Sequence, residues 1–537
     1  MAAELIRLEN DKSHGRKNQR GDRDFILGVM MLSLSAIIVK VIGLVYKIPM
    51  LRLLGSEGMG YFNSAYEIYA LFCTVSTAGL PVAMSVMISR SRGKIGAEEK
   101  IFKVSLRFFL SLGAIGTLIM LILAYPLALF LGGGKCLFAI LAISPTVFFI
   151  CATSAYRGYY QGLGRMMPTA ISQVIEAAGK LFLGVLFALV ALSLGYQTEV
   201  VAAFAVLGLL IGSVLSMLYL WMLKRLGGQV EADLSARSRG IILHSLLKTA
   251  IPVTVSAAVV SVTRMVDMTM IIRRLQSFGQ TSEAAFSAYG CYTTLAVPLF
   301  GIAPALVSSV ALPLIPRLGR AISEGDREKE SETINEGMRL ASLISMPIGI
   351  GISLFSKEIL ELLFKGQSEE IELAAPLLSV LGMSVALSCL VTVGNAVLQA
   401  YGRPHIPTVS MTVGAILKVI FAYFLIGDPS IGIMGAPIST LICDLTIDLI
   451  NFYYILKCVP DAIDVRRSFL RPFMAAMIAA AASRLAFGAA EAKADTGGSL
   501  LTILAILFCA LIYASLCLAF KVVRLDEIRK LRQKMPG

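Results

Sequence analysis

Long apolar stretches, separated by short polar segments, follow one another along almost the whole chain. A helix of about 20 apolar residues crosses a bilayer, and about fourteen stretches of that length lie between clusters of charge, glycine or proline. They begin near Phe25, Tyr61, Phe102, Cys136, Thr169, Val200, Leu246, Glu283, Met338, Ile371, Pro407, Ile431, Phe469 and Ser499. The pattern therefore predicts an all-α membrane protein of about fourteen transmembrane helices.

Composition supports this interpretation. Hydrophobic residues make up 57% of the 537 positions and charged residues only 15%, a balance that soluble globular proteins do not have. The segment before Phe25 is polar and basic and contains no short apolar core with a cleavage site, so a removable signal peptide is not expected.

The net charge is +13, and the basic residues are distributed along the chain according to the predicted topology. Basic residues concentrate in alternate connections and in both terminal segments, represented by Arg16, Lys17, Arg90, Lys100, Lys224, Arg225, Arg317, Arg320, Arg466, Arg467 and Lys530. Because connections rich in Lys and Arg stay on the cytoplasmic side, both termini are expected to be cytoplasmic. The charges form no single patch, so the expected partner is the lipid bilayer and not a nucleic acid.

Two halves of the chain repeat each other. The segment SAYEIY at 64–69 recurs as SAYGCY at 287–292. The segment QGLGR at 161–165, followed by Pro168 and Lys180, recurs as QAYGR at 399–403, followed by Pro407 and Lys418. Each half holds six predicted spans, and an even number gives the two halves the same orientation in the membrane. Such halves form two lobes that enclose a central site.

These patterns predict the following domains. They are a cytoplasmic basic tail at 1–24, an N-lobe at 25–226, a cytoplasmic linker at 227–245, a C-lobe at 246–460, a two-helix appendage at 461–522 and a cytoplasmic tail at 523–537.

Ionisable residues inside apolar helices are the candidate functional groups, because one such residue costs about 2.5–3.5 kcal/mol to insert. Lys40 and Lys47 lie seven positions apart in the first span, with Arg52 near its outer end. Arg264 lies deep in the seventh span, and Asp267 is close enough in sequence to pair with it. Lys40 and Arg264 fall at similar depth in the two halves.

Further charged residues lie in or at the ends of other spans of the first half. Glu67 is a candidate partner for the lysines, Arg90 ends the second span, and Glu176 and Lys180 form an i, i+4 pair. We interpret Arg157, close to the end of the fourth span, as a topology-setting charge. An excess of cations in a cavity selects an anion, and phosphate is the anion that Arg and Lys usually bind. A compound that contains phosphate is therefore the expected ligand.

Asp444 and Asp448 are one turn apart in the twelfth span. They are a candidate site for a coupling cation, either Na⁺ or H⁺; a structural role and metal-dependent prenyl chemistry are the alternatives. The segment Gly132 to Cys136 lacks the spacing of an ATP-binding P-loop. No catalytic residue, resident metal or cofactor is expected, and the membrane potential or a coupled ion would supply the energy.

Several motifs resemble a known family. The segments KVIG at 40–43, RLLGSEGMGYFNSAY at 52–66 and GLP at 79–81 are similar to the start of the polysaccharide-transporter branch of the MOP superfamily, which includes the MurJ-type lipid II flippases. The resemblance implies two six-helix lobes of MATE/MurJ-like fold and two extra helices that form a groove for a lipid tail. It also implies alternating access of a polyprenyl-diphosphate-linked sugar. Lys40 and Arg52 match cations of the family's first helix, and Arg264 and Arg273 match cations of its seventh.

The expected function is therefore transport and not enzymatic catalysis. A monomeric flippase in the bacterial plasma membrane would bind the diphosphate with Lys40, Lys47, Arg52, Arg264 and Arg273. Glu67, Asp267, Arg90, Glu176 and Lys180 would act as charge partners or gates. The alternatives are a MATE-like exporter of organic cations, which requires an acidic cavity, and a membrane glycosyltransferase or ligase acting on the same lipid.

Overall fold

The computed structural model describes residues 2–91, 96–132, 134–226, 236–277, 279–460, 464–491 and 498–522. Every regular element within these ranges is a helix, which confirms the predicted fold class. The C-terminal tail at 523–537 and the part of the predicted linker at 227–235 lie outside the described residues.

The first half of the chain forms eight α-helices. They are α1 (Ala2–Thr77), α2 (Gly79–Arg90), α3 (Ala97–Gly132), α4 (Leu137–Ile143), α5 (Thr146–Gly162), α6 (Met167–Ser193), α7 (Thr198–Leu226) and α8 (Ala236–Ser277). Short described turns join α4 to α5, α5 to α6 and α6 to α7, as the alternation of apolar stretches with brief polar segments predicts.

The second half continues with ten α-helices, a short 3₁₀ turn at Gly432–Met434 and π-helical turns at Tyr292–Ala296 and Arg466–Leu470. The α-helices are α9 (Ser282–Cys291), α10 (Val297–Phe300), α11 (Ile302–Glu324), α12 (Arg327–Leu354), α13 (Ser356–Leu363), α14 (Ser368–Ala400), α15 (His405–Leu425), α16 (Gly435–Cys458), α17 (Arg471–Glu491) and α18 (Gly498–Ala519).

Among the described residues, 12 helices are long and apolar enough to cross a membrane, or 13 when the bent pair within α8 is counted as a span. This count is lower than the predicted number of about fourteen spans. The first two predicted spans form one continuous stretch, Ser35–Arg90, of 56 residues. The polar residues between the two, among them Arg52, Ser56 and Glu57, lie within this helical stretch, which is kinked at Gly55, whose φ is 64°. The protein is a multi-pass membrane protein.

The described chain divides into two compact units. Unit 1 contains Met1–Leu54 and Ser64–Val262, and unit 2 contains Gly55–Asn63 and Thr263–Gly537. The change of unit within α8 therefore comes later than the predicted start of the C-lobe at 246, after the bend that follows Pro252. Proline lacks an N–H and bends a helix at this kind of position.

The short segment Gly55–Asn63 packs within unit 2 against the start of its repeat motif. The hydroxyls of Ser56 and Ser287 are 2.7 Å apart. The Asn63 amide donates to Thr293 Oγ1 at 2.9 Å, and the rings of Tyr61 and Phe286 meet edge to face with centroids 4.8 Å apart. The positive φ of Gly55 permits this change of packing, because a side chain is strained in that conformation.

Helices α6 and α7 pack in close contact within unit 1. A methyl group added at Gly212 on α7 would lie only 2.7 Å from the Glu176 carbonyl oxygen on α6. Small residues let helix backbones approach this closely in membrane proteins. The contact fixes the depth and rotation of α6, and therefore the position of Glu176 and of Lys180 one turn later.

Gly212→Val should separate α6 from α7 and destabilise unit 1. Forcing extra methyl groups into a packed interface typically costs about 1–3 kcal/mol, and backbone atoms leave little room to adjust here. We expect a lower thermal unfolding midpoint in detergent than in the wild type. Gly240→Ala on α8 is the control, because a methyl group there meets nothing within 4 Å. Equal midpoints for both variants would contradict the proposed packing role.

Unit 2 also contains a close helix–helix contact at glycine, and it includes the last two helices. A methyl group at Gly349 on α12 would lie 2.7 Å from the Gly382 carbonyl oxygen on α14. The predicted appendage, α17 and α18, packs on itself and on α12; the Tyr513 hydroxyl donates to the Leu343 carbonyl at 3.1 Å. Ser483 on α17 donates to the Ala505 carbonyl on α18 at 2.7 Å.

Candidate anion-binding site

A cavity of about 400 Å³ opens inside unit 1 between α1, α5, α6 and α7. Its walls combine small apolar residues, two tyrosines and a group of charged or amide side chains. They are Ala36, Val39, Lys40, Ile42, Gly43, Tyr46, Tyr66, Arg157, Gln173, Glu176, Ala177, Lys180 and Leu209. The described lining thus carries three cations and one carboxylate.

Helical periodicity explains how α1 lines this cavity. Ala36, Lys40, Gly43 and Tyr46 are spaced three or four residues apart, and that spacing places them on one face of a helix. Lys40 is exposed at the cavity, and no ion pair of Lys40 occurs among the described residues. Its ammonium group is therefore available to an anionic ligand.

Arg157 on α5 makes the most extensive polar contacts in the cavity. Its Nη2 donates to Glu176 Oε2 at 2.8 Å, and its Nε donates to Ser172 Oγ at 2.9 Å. Nη2 also approaches Ser216 Oγ on α7 at 3.4 Å. The side chains of Arg157 and Glu176 are 13% and 20% exposed. The interpretation of Arg157 as a topology-setting charge stays a prediction, but the structure shows that its guanidinium lies in this polar network.

Lys180 lies between two aromatic faces. Its Nζ is 5.0 Å from the centre of the Tyr46 ring and 4.6 Å from that of the Tyr66 ring. A ring face attracts an ammonium group at such distances. Lys180 also interacts electrostatically with Glu176 and Glu67. The predicted i, i+4 neighbours therefore interact, but the hydrogen-bonded ion pair of Glu176 is with Arg157.

Two further predicted residues lie beside the cavity lining. Lys47, half-buried on α1, interacts electrostatically with Lys180 and Glu67. Glu67 is also half-buried and lies in the same helix beyond Gly55. Besides Lys40, four of the predicted site residues therefore lie in or beside the cavity: Lys47, Glu67, Glu176 and Lys180.

The remaining predicted cations lie elsewhere. Arg52 and Arg90 belong to unit 1 and are exposed, and neither lines the cavity. Arg264 and Arg273 belong to unit 2 and are exposed on α8. Their proposed contact with a diphosphate stays a prediction.

Unit 2 has its own buried ion pair. Lys418 Nζ on α15 contacts Asp267 Oδ2 on α8, with side chains 15% and 20% exposed. Tyr292 and Ser439 lie beside the pair around a gap of about 10 Å³, which holds at most about one water molecule. The sequence offered Arg264 as a partner of Asp267, whereas the structure shows Lys418 in that role.

Asp444 and Asp448 lie on one face of α16. Asp448 is 2% exposed, and neither of its carboxylate oxygens has a hydrogen-bond partner in the part of the chain that the structure describes. Asp444 interacts electrostatically with Lys418 and with Asp448. The pair extends the Lys418–Asp267 cluster, and its role in ion coupling stays a prediction.

Arg157 and Lys418 are the site residues that sequence reasoning missed. A usable signal existed for Lys418, which matches Lys180 in the two repeats. Arg157 lies more than one turn before the end of α5, but sequence alone did not place that end accurately. The repeats therefore share a lysine that meets different carboxylates in the two units.

Comparison with known proteins gives a consistent assignment. The family model described as "Polysaccharide biosynthesis protein" matches residues 25–322, and the MatE model matches residues 252–424. Stage V sporulation protein B of Bacillus subtilis is 26% identical over 94% of this chain and 97% of its own length. Lipid II flippase MurJ of Bacillus subtilis is 25% identical over 73% of this chain and 76% of its own.

A solved structure shares the fold. Lipid II flippase MurJ in an inward closed conformation superposes with a TM-score of 0.67, at 14% identity, over 91% of this chain and 98% of the other. The resemblance expected from the motifs is confirmed, and the first family model covers more than half of the chain. This chain therefore belongs to the polysaccharide biosynthesis protein family.

Proposed function

We propose that this protein is a flippase that moves a polyprenyl-diphosphate-linked precursor of cell wall or polysaccharide from the cytoplasmic to the outer leaflet by alternating access. The cavity of unit 1 is the observation that carries this proposal. It presents Lys40, Arg157 and Lys180 with one carboxylate among its described lining residues. Such an excess of cations within a membrane protein suits an anionic ligand, and a diphosphate offers several oxygens to them.

Lipid II is the first substrate to test. One relative bears the name lipid II flippase, and another, similar over most of both chains, is named for sporulation. A role in the general cell wall and a role in the spore cortex both fit these names. The shared chemistry in either case is a polyprenyl diphosphate that carries a glycan.

The source of energy is also a proposal. An inside-negative potential assists outward movement of an anion by about 2.3 kcal/mol per charge per 100 mV. Asp444 and Asp448 are the groups at which Na⁺ or H⁺ would couple to transport. We further propose a monomer in the bacterial plasma membrane with both termini in the cytoplasm.

A leaflet-resolved assay tests the function. Purified full-length protein is reconstituted in vesicles with fluorescent lipid II, and a membrane-impermeant quencher reports the fraction in the outer leaflet. We expect protein-dependent movement that becomes faster under an imposed potential of the favourable sign. The same vesicles with fluorescent phosphatidylcholine control for nonspecific scrambling.

The assay tests the identity of the substrate separately from the transport mechanism. Movement of another polyprenyl-diphosphate glycan but not of lipid II would change the substrate and keep the mechanism. Failure with every polyprenyl diphosphate would refute the proposal.

Export of organic cations is a second candidate function. The MatE match and the buried Asp448 of α16, with Asp444 one turn away, favour it. Ethidium efflux from the same vesicles is its test, and efflux without lipid movement would establish this alternative.

A further inference from the structure

Arg157, the cavity cation with the most extensive polar contacts, already has an internal anion in unit 1. Arg157 Nη2 and Glu176 Oε2 are 2.8 Å apart, and neither side chain is sealed from the cavity, at 13% and 20% exposure. Ser172 accepts a hydrogen bond from Arg157 Nε at 2.9 Å, so the guanidinium is held in place from a second side. The pair therefore presents a fixed cation whose carboxylate partner faces the space a ligand would enter.

A carboxylate and a phosphate oxygen compete for the same position on arginine. The guanidinium fork fits the two oxygens of either group, and its hydrogen bonds to both are charge-assisted. Glu176 occupies this position with one oxygen in the structure. A phosphate group that binds Arg157 at the same N–H must displace it.

The second cation lies one turn along the same helix. Lys180 interacts electrostatically with Glu176 and is positioned over the Tyr46 and Tyr66 rings. The tyrosine faces hold the ammonium group without adding a negative charge of their own. A phosphate in place of the Glu176 carboxylate would therefore meet both Arg157 and Lys180.

We infer that Glu176 is an internal counter-anion in a phosphate subsite formed by Arg157 and Lys180, and that the diphosphate of the substrate displaces its carboxylate. This inference rests on the proposed function. The displaced carboxylate remains on α6 beside the ligand and repels it, because like charges at close range oppose each other. Glu176 thus lowers the affinity for the lipid and speeds its release.

Glu176→Gln tests the subsite in full-length protein reconstituted in nanodiscs. Glutamine keeps the size of the side chain and removes its charge. We expect undecaprenyl diphosphate to bind about tenfold more tightly, which corresponds to about 1.4 kcal/mol. In vesicles, the maximal rate of lipid translocation should fall several-fold because release becomes slower. Inorganic pyrophosphate, used as a second probe, should also bind more tightly to Glu176→Gln if the protein recognises only the diphosphate of the lipid.

Glu99→Gln is the matched control. Glu99 is a buried glutamate of the same unit, and its Oε2 accepts a hydrogen bond from Lys224 at 2.6 Å. It does not line the cavity. Loss of this charge should leave the affinity for both probes unchanged, so a general effect of neutralising a buried glutamate is separated from a local one.

Two further variants keep the test decisive. Arg157→Lys retains the charge but loses the fork, and it should weaken binding. If Glu176→Gln does not fold, Glu176→Asp shortens the side chain and should tighten binding by a smaller factor.

The outcomes separate the inference from the proposed function. Unchanged or weaker binding in folded Glu176 variants, with a wild type that still translocates the lipid, would overturn the inference alone. A wild type that neither binds nor moves any polyprenyl diphosphate would overturn both.

Discussion

Lys40→Ala should reduce lipid translocation by about 100-fold while the protein remains folded in the membrane. Lys40 lines the unit 1 cavity and forms no ion pair among the described residues, so its removal leaves no carboxylate stranded. The phosphate of a bound substrate would lose one of its cations, and a hundredfold lower rate corresponds to about 2.8 kcal/mol. The leaflet-resolved assay with lipid II measures the rate, and quantitative immunoblotting of membranes measures abundance.

Two variants serve as controls for this result. Lys248→Ala removes an exposed lysine from α8 of the same unit, away from the cavity lining, and should transport normally. Lys40→Arg should keep activity, since arginine provides the charge and a phosphate-matching fork. Arg264→Ala applies the same test to unit 2. Full activity of Lys40→Ala and of Arg264→Ala at normal abundance would refute a role for Lys40 and Arg264 in transport.

Lys418→Met should destabilise unit 2 by about 3–5 kcal/mol, because it leaves the Asp267 carboxylate without its cation in a low-dielectric interior. The Lys418 and Asp267 side chains are only 15% and 20% exposed, and the adjoining gap of about 10 Å³ admits at most about one water molecule. Asp444 also loses its interaction with Lys418. Thermal unfolding of the purified protein in detergent should show a markedly lower midpoint.

The double variant Asp267→Asn, Lys418→Met should recover much of that loss, because a neutral amide costs far less to bury than an unpaired carboxylate. Arg317→Met is the contrast, since the Arg317–Glu336 pair has side chains 57% and 35% exposed. Exposed ion pairs contribute about 0–1 kcal/mol. A double variant no more stable than Lys418→Met would show that the ion pair is not the source of the loss.

The helices could be predicted from the sequence because they depend on local pattern, and apolar length fixes a membrane span. The SAY motifs at 64–66 and 287–289 predict equivalent helices in two halves, and the two-fold repeat stays a prediction. Sequence did not predict that the first two spans join, because the polar residues between them, among them Arg52, Ser56 and Glu57, suggested a connection between two helices. In the structure this segment stays helical, and only Gly55 departs from helical geometry, with a positive φ.

The candidate site was predicted only in part. Lys40, Glu176 and Lys180 stood out because charge is rare in apolar helices. Arg157 did not, because its distance from the helix end and its contact with α6 depend on tertiary packing. Asp267 was recognised, but its partner Lys418 lies far along the chain on α15. Pairing between distant helices is set by their packing, which an i, i+4 rule does not describe.

The backbone contact of Gly212 with Glu176 has a consequence for the size of ligand that the proposed site in unit 1 would admit. With their main chains in contact, α6 and α7 cannot separate to admit a bulkier headgroup without losing that contact. The opposite wall is different, since Gly43 on α1 has open space where its side chain would be. Selection for larger or smaller ligands would therefore act on α1, whereas α6 and α7 would resist change.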